Sequence, residues 1–298
     1  MSVVITLVKF QDIWYYFFVD YLERNHLQMP TLVELLEAGS HFGHKKERSH
    51  PRAKDYIFTL REGIYVIDLE KTQNYLEKAL EFLKRQKSSG KTILFVGTKR
   101  QAKELTKKVA QDLGMPYVTH RWLGGTLTNF ETIKRSLQEL ERLENQTKTP
   151  EFEVLTKKEK KIITDKMARL QITFEGIKGM KNLPDVVFAV DAAKESGVIA
   201  EANRMEIPVV AICDTDANPD KITYPIPAND DAPKSIEILM NLVDKTLQEN
   251  HGEVVKEEIK PKEKEIVQET IEEKPASPNA SQGGPVKKIL KKTVKGKK

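Results

Sequence analysis

Five side chains of this sequence have the types and the placement to do chemistry together: His41, His44, Asp191, Asp214 and Asp216. Asp191 closes one apolar run, while Asp214 and Asp216 follow another. If both runs are strands of one sheet, the three carboxylates gather at its carboxyl edge, where ligands commonly bind. A histidine loop folded over that edge would complete a mixed His/Asp site for a divalent metal, zinc or magnesium. The plainer alternative is that these groups only cap and hydrogen-bond. The histidine spacing is loose and lacks a cysteine partner, unlike a zinc finger. The aspartates alone could do acid–base work, but nothing locates a substrate. No G-x-S-x-G elbow, H-E-x-x-H pair or Cys/His arrangement accompanies them, so catalysis is the weaker reading.

Two further stretches carry binding chemistry. From His120 to Phe130 the chain reads HRWLGGTLTNF. Arg121 beside Trp122 offers a phosphate ligand next to a flat stacking surface, and Gly124-Gly125 lets the backbone turn tightly. Thr128 or Asn129 can cap a helix that starts near Phe130. A glycine turn with a packed Trp fits the same residues equally well. From Phe95 to Arg100 the chain reads FVGTKR at a strand-to-helix turn, where helix amides often hold phosphate. It lacks both G-x-x-x-x-G-K-[ST] and G-x-G-x-x-G. Lys99 and Arg100 could instead meet a polynucleotide. Basic residues cluster over 45–54, 99–108 and 157–166, and His50, Tyr56 and Trp122 could offer flat faces to bases or riboses.

The elements that must position these residues alternate. Apolar runs at 93–96, 185–190, 208–213 and 222–226 read as strands, with amphipathic helices over 102–113, 194–205 and 235–249. That alternation predicts an α/β fold with a parallel sheet and right-handed crossovers. Residues 56–60 and 64–69 flank Arg61-Glu62-Gly63 as a β-hairpin, and Thr31 with Glu34 forms a capping-box signature. Phe130, Ile133, Leu137 and Leu140 are spaced 3-4-3, and Ile163, Met167, Leu170, Phe174 and Ile177 are spaced 4-3-4-3. Two short heptad seams joined by a turn predict an antiparallel coiled-coil hairpin inserted into the sheet. The alternative is a pair of ordinary amphipathic helices packed on the body.

The bulk composition bounds the rest. Net charge is +5, yet seven of the last twelve residues are lysine, so the remainder is slightly acidic and only local clusters can argue for nucleic acid. A single cysteine, Cys213, lies in an apolar run and reads as a small buried thiol, which fits a reducing cytosol. No run reaches the roughly 18 apolar residues of a membrane helix. The expected organisation is an N-terminal extension over 1–28 and an α/β body over 29–128 and 180–250. A hairpin occupies 129–179, and a disordered, lysine-ended tail 251–298.

Five stretches, in order, resemble the small-subunit ribosomal protein two family of bacteria. They are LVELLEAGSHFG from Leu32, FVGTKRQA from Phe95, HRWLGGTLTNF from His120, PDVVFAVD from Pro184 and IPVVAICDTD from Ile207. The resemblance implies a flavodoxin-like sheet with a coiled-coil hairpin and a non-enzymatic, cytoplasmic constituent of the ribosome that requires no cofactor. It also implies contact with ribosomal RNA at the junction of head and body, and docking of the large OB-repeat, messenger-binding ribosomal protein. Carried onto this sequence, the RNA-facing residues are Lys45, Lys46, Arg48, Arg52, Lys99, Arg100, Arg121, Trp122 and Asn129. The family begins near the position of Met29, so residues 1–28 are expected to reflect an upstream start. The competing expectation is a flavodoxin-like nucleotide-binding enzyme working at Asp191, Asp214 and Asp216.

Overall fold

The computed structural model describes residues 29–248; the expectations for 1–28 and for the tail lie outside these residues. The chain opens with α1 (Leu32–Glu37), whose capping box forms as the sequence predicts, with Thr31 and Glu34 bonding each other's backbone N–H. A small antiparallel sheet follows, made of β1 (Phe42–Lys45), β2 (Ile57–Arg61) and β3 (Ile64–Ile67) in the order β1-β3-β2. The β2–β3 hairpin was legible. Its second strand stops at Ile67, because Asp68 caps α2 (Leu69–Ser88) by accepting from the Glu70 and Lys71 amides. Strand β1 was not legible, since Phe42-Gly-His-Lys carries no apolar alternation and half of it faces solvent.

The main sheet comprises β4 (Ile93–Val96), β5 (Tyr117–Val118), β6 (Val186–Val190), β7 (Val209–Cys213) and β8 (Tyr224–Pro227), all parallel. Its helices are α2, α3 (Lys103–Asp112), α7 (Ser196–Arg204) and α8 (Pro233–Gln248), while α4 (Phe130–Gln146), α5 (Pro150–Val154) and α6 (Lys157–Phe174) form the insertion between β5 and β6. The strand order is β5-β4-β6-β7-β8. Counted within the sheet that is 2-1-3-4-5, the flavodoxin-like order, and the topological switch point lies between β4 and β6.

The central strands are buried along their whole length, as strands covered on both faces must be. Side-chain alternation sorts them. Ile93, Phe95, Val186, Phe188, Val190, Val210 and Ile212 enter one core with α2, α3 and α8. Leu94, Val96, Val187, Ala189, Val209, Ala211 and Cys213 enter the other, with α7 and α4. In the first core Phe95 and Phe188 lie 5.4 Å apart between ring centroids. In the second core, Ala189 and Ala211 of the sheet and Ala202 of α7 are fully buried small side chains. Cys213 is the expected buried thiol, and burial raises its pKa.

In the insertion, Phe130, Ile133, Leu137 and Leu140 of α4 are buried in the second core, and Leu143 is buried with them. On α6, Phe174 is buried in that core, as is Ile177 just beyond it, while Met167 and Leu170 lean against it and Ile163 is half-buried. Lys166 to Glu139 (2.7 Å) and Gln171 to Glu144 (3.3 Å) tie α6 to α4 along their polar edges.

Candidate functional site

The carboxyl edge of the sheet does gather acids, and it gathers more of them than the sequence suggested. Lys99 follows β4, Asp191 follows β6, Asp214 and Asp216 follow β7, and Asp230 and Asp231 follow β8. Lys99 lies at the switch point, and its Nζ reaches Asp191 (3.1 Å), Asp230 (2.7 Å) and Asp231 (2.6 Å). Its side chain is 12% exposed. Burial works against the ammonium, yet the aspartates outweigh it and raise its pKa, so Lys99 stays charged. Lys99, expected to be RNA-facing, is engaged here as a counter-ion among three aspartates. Asp230 is the most enclosed of the acids. Burial, followed by the charges of Asp191 and Asp214, pushes its pKa up to about 8.

His44 serves the other half of the cluster. Its Nδ1 stands 3.2 Å from Asp214, and its Nε2 stands 3.6 Å from Asp216 and 3.5 Å from Asp231. The Asp214 carboxylate beside it raises the imidazole pKa to about 9, over the opposing effect of burial and with help from Asp216 and Asp230. The small sheet is thereby fastened to the large one. The His44 N–H donates to Thr215 Oγ1 (2.8 Å), and the His50 N–H donates to the Thr215 carbonyl (2.7 Å).

His41 does not join this cluster. Its ring lies 4.0 Å from that of Phe42 and lines an apolar hollow instead. Among the described residues no three His, Cys, Asp or Glu side chains assemble into a metal-holding group. His44, Asp191, Asp214 and Asp216 do come together, but as ion pairs with each other and with Lys99.

The FVGTKR turn is likewise committed internally. A Cβ on Gly97 would collide with Thr106 Oγ1, so glycine is required there for the close approach of α3. The Thr98 N–H and hydroxyl both donate to buried Glu195. Thr98 and Lys99 are thus engaged by Glu195 and by the aspartates, while Arg100 beside them is exposed.

The HRWLGGTLTNF stretch proves to be a cradle for one carboxylate. Glu201 of α7 accepts from Trp122 Nε1 (3.0 Å), the Gly125 N–H (2.8 Å), the Leu127 N–H (3.0 Å), and the Thr128 N–H and hydroxyl (each 3.2 Å). Gly125 has φ +92°, which turns the amides onto a common point. Trp122 packs against the second core, so it is a fixed strut and not an open stacking surface. Thr128 is spent on Glu201. Asn129 occupies the N-cap position of α4 without capping it, and its Oδ1 accepts from the Thr132 hydroxyl (2.9 Å). His50 and Tyr56 are also engaged: His50 Nδ1 accepts from the Arg52 N–H, and Tyr56 sits edge-on to Tyr75 at 5.2 Å.

What remains outward is a set of exposed cations. Lys45, Lys46, Arg100 and Arg121 form no ion pair among the described residues. Arg48 and Arg52 are themselves exposed and make long or surface pairs, with the partly buried Asp216 (3.9 Å) and the exposed Asp220 (3.2 Å). Such pairs contribute little, about 0–1 kcal/mol, and exchange readily for phosphate. Of the third cluster, Lys157, Lys158 and Lys161 are exposed, whereas Lys160 and Lys166 pair with Glu153 and Glu139. The small sheet lines an apolar hollow of about 410 Å³ together with α1, through Leu32, Val33, Leu36, Phe58 and Val66, with Phe58 73% exposed.

Sequence reasoning missed Asp230, Asp231 and Glu201. The first two follow a strand just as Asp214 does, so the same edge argument would have found them. Glu201 stands mid-helix, with no local signal.

Residues 35–250 match the family model described as Ribosomal protein S2. The relatives include the small ribosomal subunit protein uS2 of Helicobacter hepaticus, 44% identical over 246 residues, covering 83% of this chain and 93% of the relative. That of Campylobacter hominis is 45% identical over 244 residues, covering 80% and 91%. That of Dehalococcoides mccartyi is 49% identical over 213 residues, covering 71% and 87%. With five ordered motifs, the flavodoxin-like strand order and a match across the whole α/β body, this chain belongs to the ribosomal protein S2 family.

Proposed function

We propose that this chain binds ribosomal RNA at the junction of head and body of the bacterial small subunit and helps to dock the large OB-repeat, messenger-binding ribosomal protein. It is a structural ribosomal protein and not an enzyme, and as part of the ribosome it is cytoplasmic. One observation carries the RNA reading. Lys99 at the ligand edge of the sheet is consumed internally, whereas Lys45, Lys46, Arg100 and Arg121 stand exposed and unpaired among the described residues. Phosphate contact asks only for accessible cations at suitable spacing. The helices α4 and α6 act in this reading as a coiled-coil lever bracing RNA, with Lys157, Lys158 and Lys161 outward. In this reading no cofactor is required; Lys99 and His44 offset part of the acidic charge at the sheet edge.

The apolar hollow suits the protein partner, since RNA has no use for exposed Leu32, Val33, Leu36 and Phe58. Two variants separate the surfaces. Charge reversal at Lys45, Lys46 and Arg121 together is expected to weaken association with subunits lacking this protein by at least about tenfold. It should also flatten the salt dependence by roughly 0.9 in log–log slope for each phosphate no longer neutralised. Phe58→Asp is expected to leave that association intact and to abolish retention of the messenger-binding protein. Unchanged association of the folded charge-reversal variant would show these cations to be merely solvated.

A further inference from the structure

Glu201 holds the loop between β5 and α4 from outside that loop. Its Oε1 takes Trp122 Nε1 and the Gly125 N–H, and its Oε2 takes the Leu127 N–H and both donors of Thr128. Five bonds saturate a carboxylate that offers about four lone-pair sites, leaving it nothing for solvent or RNA. Burial raises its pKa, but these bonds outweigh burial and hold it below the usual carboxylate range. Arg121 sits between two fixed points: β5 ends three residues before it, and Trp122 directly after it is both packed and hydrogen-bonded. Arg121 itself is exposed.

We infer that Glu201 is the positioning residue of the RNA-facing loop, holding the backbone so that Arg121 presents its guanidinium to phosphate. This deepens the reading of Arg121 as a phosphate ligand and rests on it. A guanidinium on a pinned backbone loses less freedom on binding than one on a loose loop. Chemistry explains why the residue is Glu: Gln would keep one accepting oxygen but turn an NH₂ toward amide and hydroxyl donors.

The test is a double-mutant cycle on the full chain, read as affinity for small subunits lacking this protein at several salt concentrations. Arg121→Ala alone is expected to cost about tenfold and to lower the salt slope by about one. Glu201→Ala is expected to cost a similar factor, although the arginine is still present. The double variant should then be no more than about twofold weaker than Arg121→Ala, since the second change acts through a group already gone. Should Glu201→Ala fail to fold, Glu201→Gln carries the same cycle with a smaller loss. A purely structural Glu201 would lower melting temperature but leave the affinity of the folded protein unchanged, and that result overturns the inference. Fully additive losses overturn it too, because they route the effect around Arg121. Natural affinity in Arg121→Ala overturns the underlying reading of the arginine, and the inference with it.

Discussion

At the scale of single residues, the cluster below the small sheet decides how this protein uses its charges. The His44 pKa is raised to about 9 against an ordinary value of 6.5. A base bound more tightly to its proton when folded contributes stability that is complete below the unfolded pKa and is lost as pH rises through the folded one. The natural protein should therefore lose stability between about pH 6.5 and 9. His44→Gln should be less stable at pH 6 by about 2–6 °C in melting temperature and lose that deficit by about pH 9.5. Parallel melting curves for the two proteins across this range would contradict the ion-pair assignment. Lys99 offers a second test. Lys99→Met leaves Asp191, Asp230 and Asp231 without their cation and is expected to cost roughly 3–5 kcal/mol in urea unfolding. A cost below about 1 kcal/mol would mean that Lys99 is free after all. From sequence these residues could be found but not oriented. The edge rule gathered Asp191, Asp214 and Asp216 correctly, yet no local pattern distinguishes a lysine that points into an acidic pocket from one that points at RNA.

At the scale of elements, legibility followed periodicity. Strands β4, β6 and β7 were visible as apolar runs because both of their faces are buried. Strand β1 was invisible because pairing with β3 and the grip of Thr215 hold it, and neither leaves an apolar pattern. The heptad seams correctly marked α4 and α6, but their burial is unequal. Leu140 on α4 is fully buried, whereas on the α6 seam Phe174 is buried but Ile163 only half so, and Ile172, off the seam, is 53% exposed. Leu140→Ala is accordingly expected to cost about 2–5 kcal/mol and Ile172→Ala less than about 0.5 kcal/mol, measured by urea denaturation. Equal costs would mean that the face of α6 off the seam is buried as well. The HRWLGGTLTNF stretch was legible as a joint, but the anchor of that joint was not, because Glu201 lies more than seventy residues further on.

At the scale of the whole molecule, a flavodoxin-like sheet has had its ligand edge filled from within. Lys99 occupies the switch point, Thr98 is held by Glu195, and the small sheet is fastened over the remaining acids through His44 and Thr215. The most direct test is sedimentation of the natural full-length protein through a sucrose gradient of cell extract, with nucleotide binding assayed on the same fractions. The protein should travel with the small subunit and be released only as salt is raised. A protein that stayed at the top of the gradient and bound nucleotide would contradict a structural, RNA-holding role.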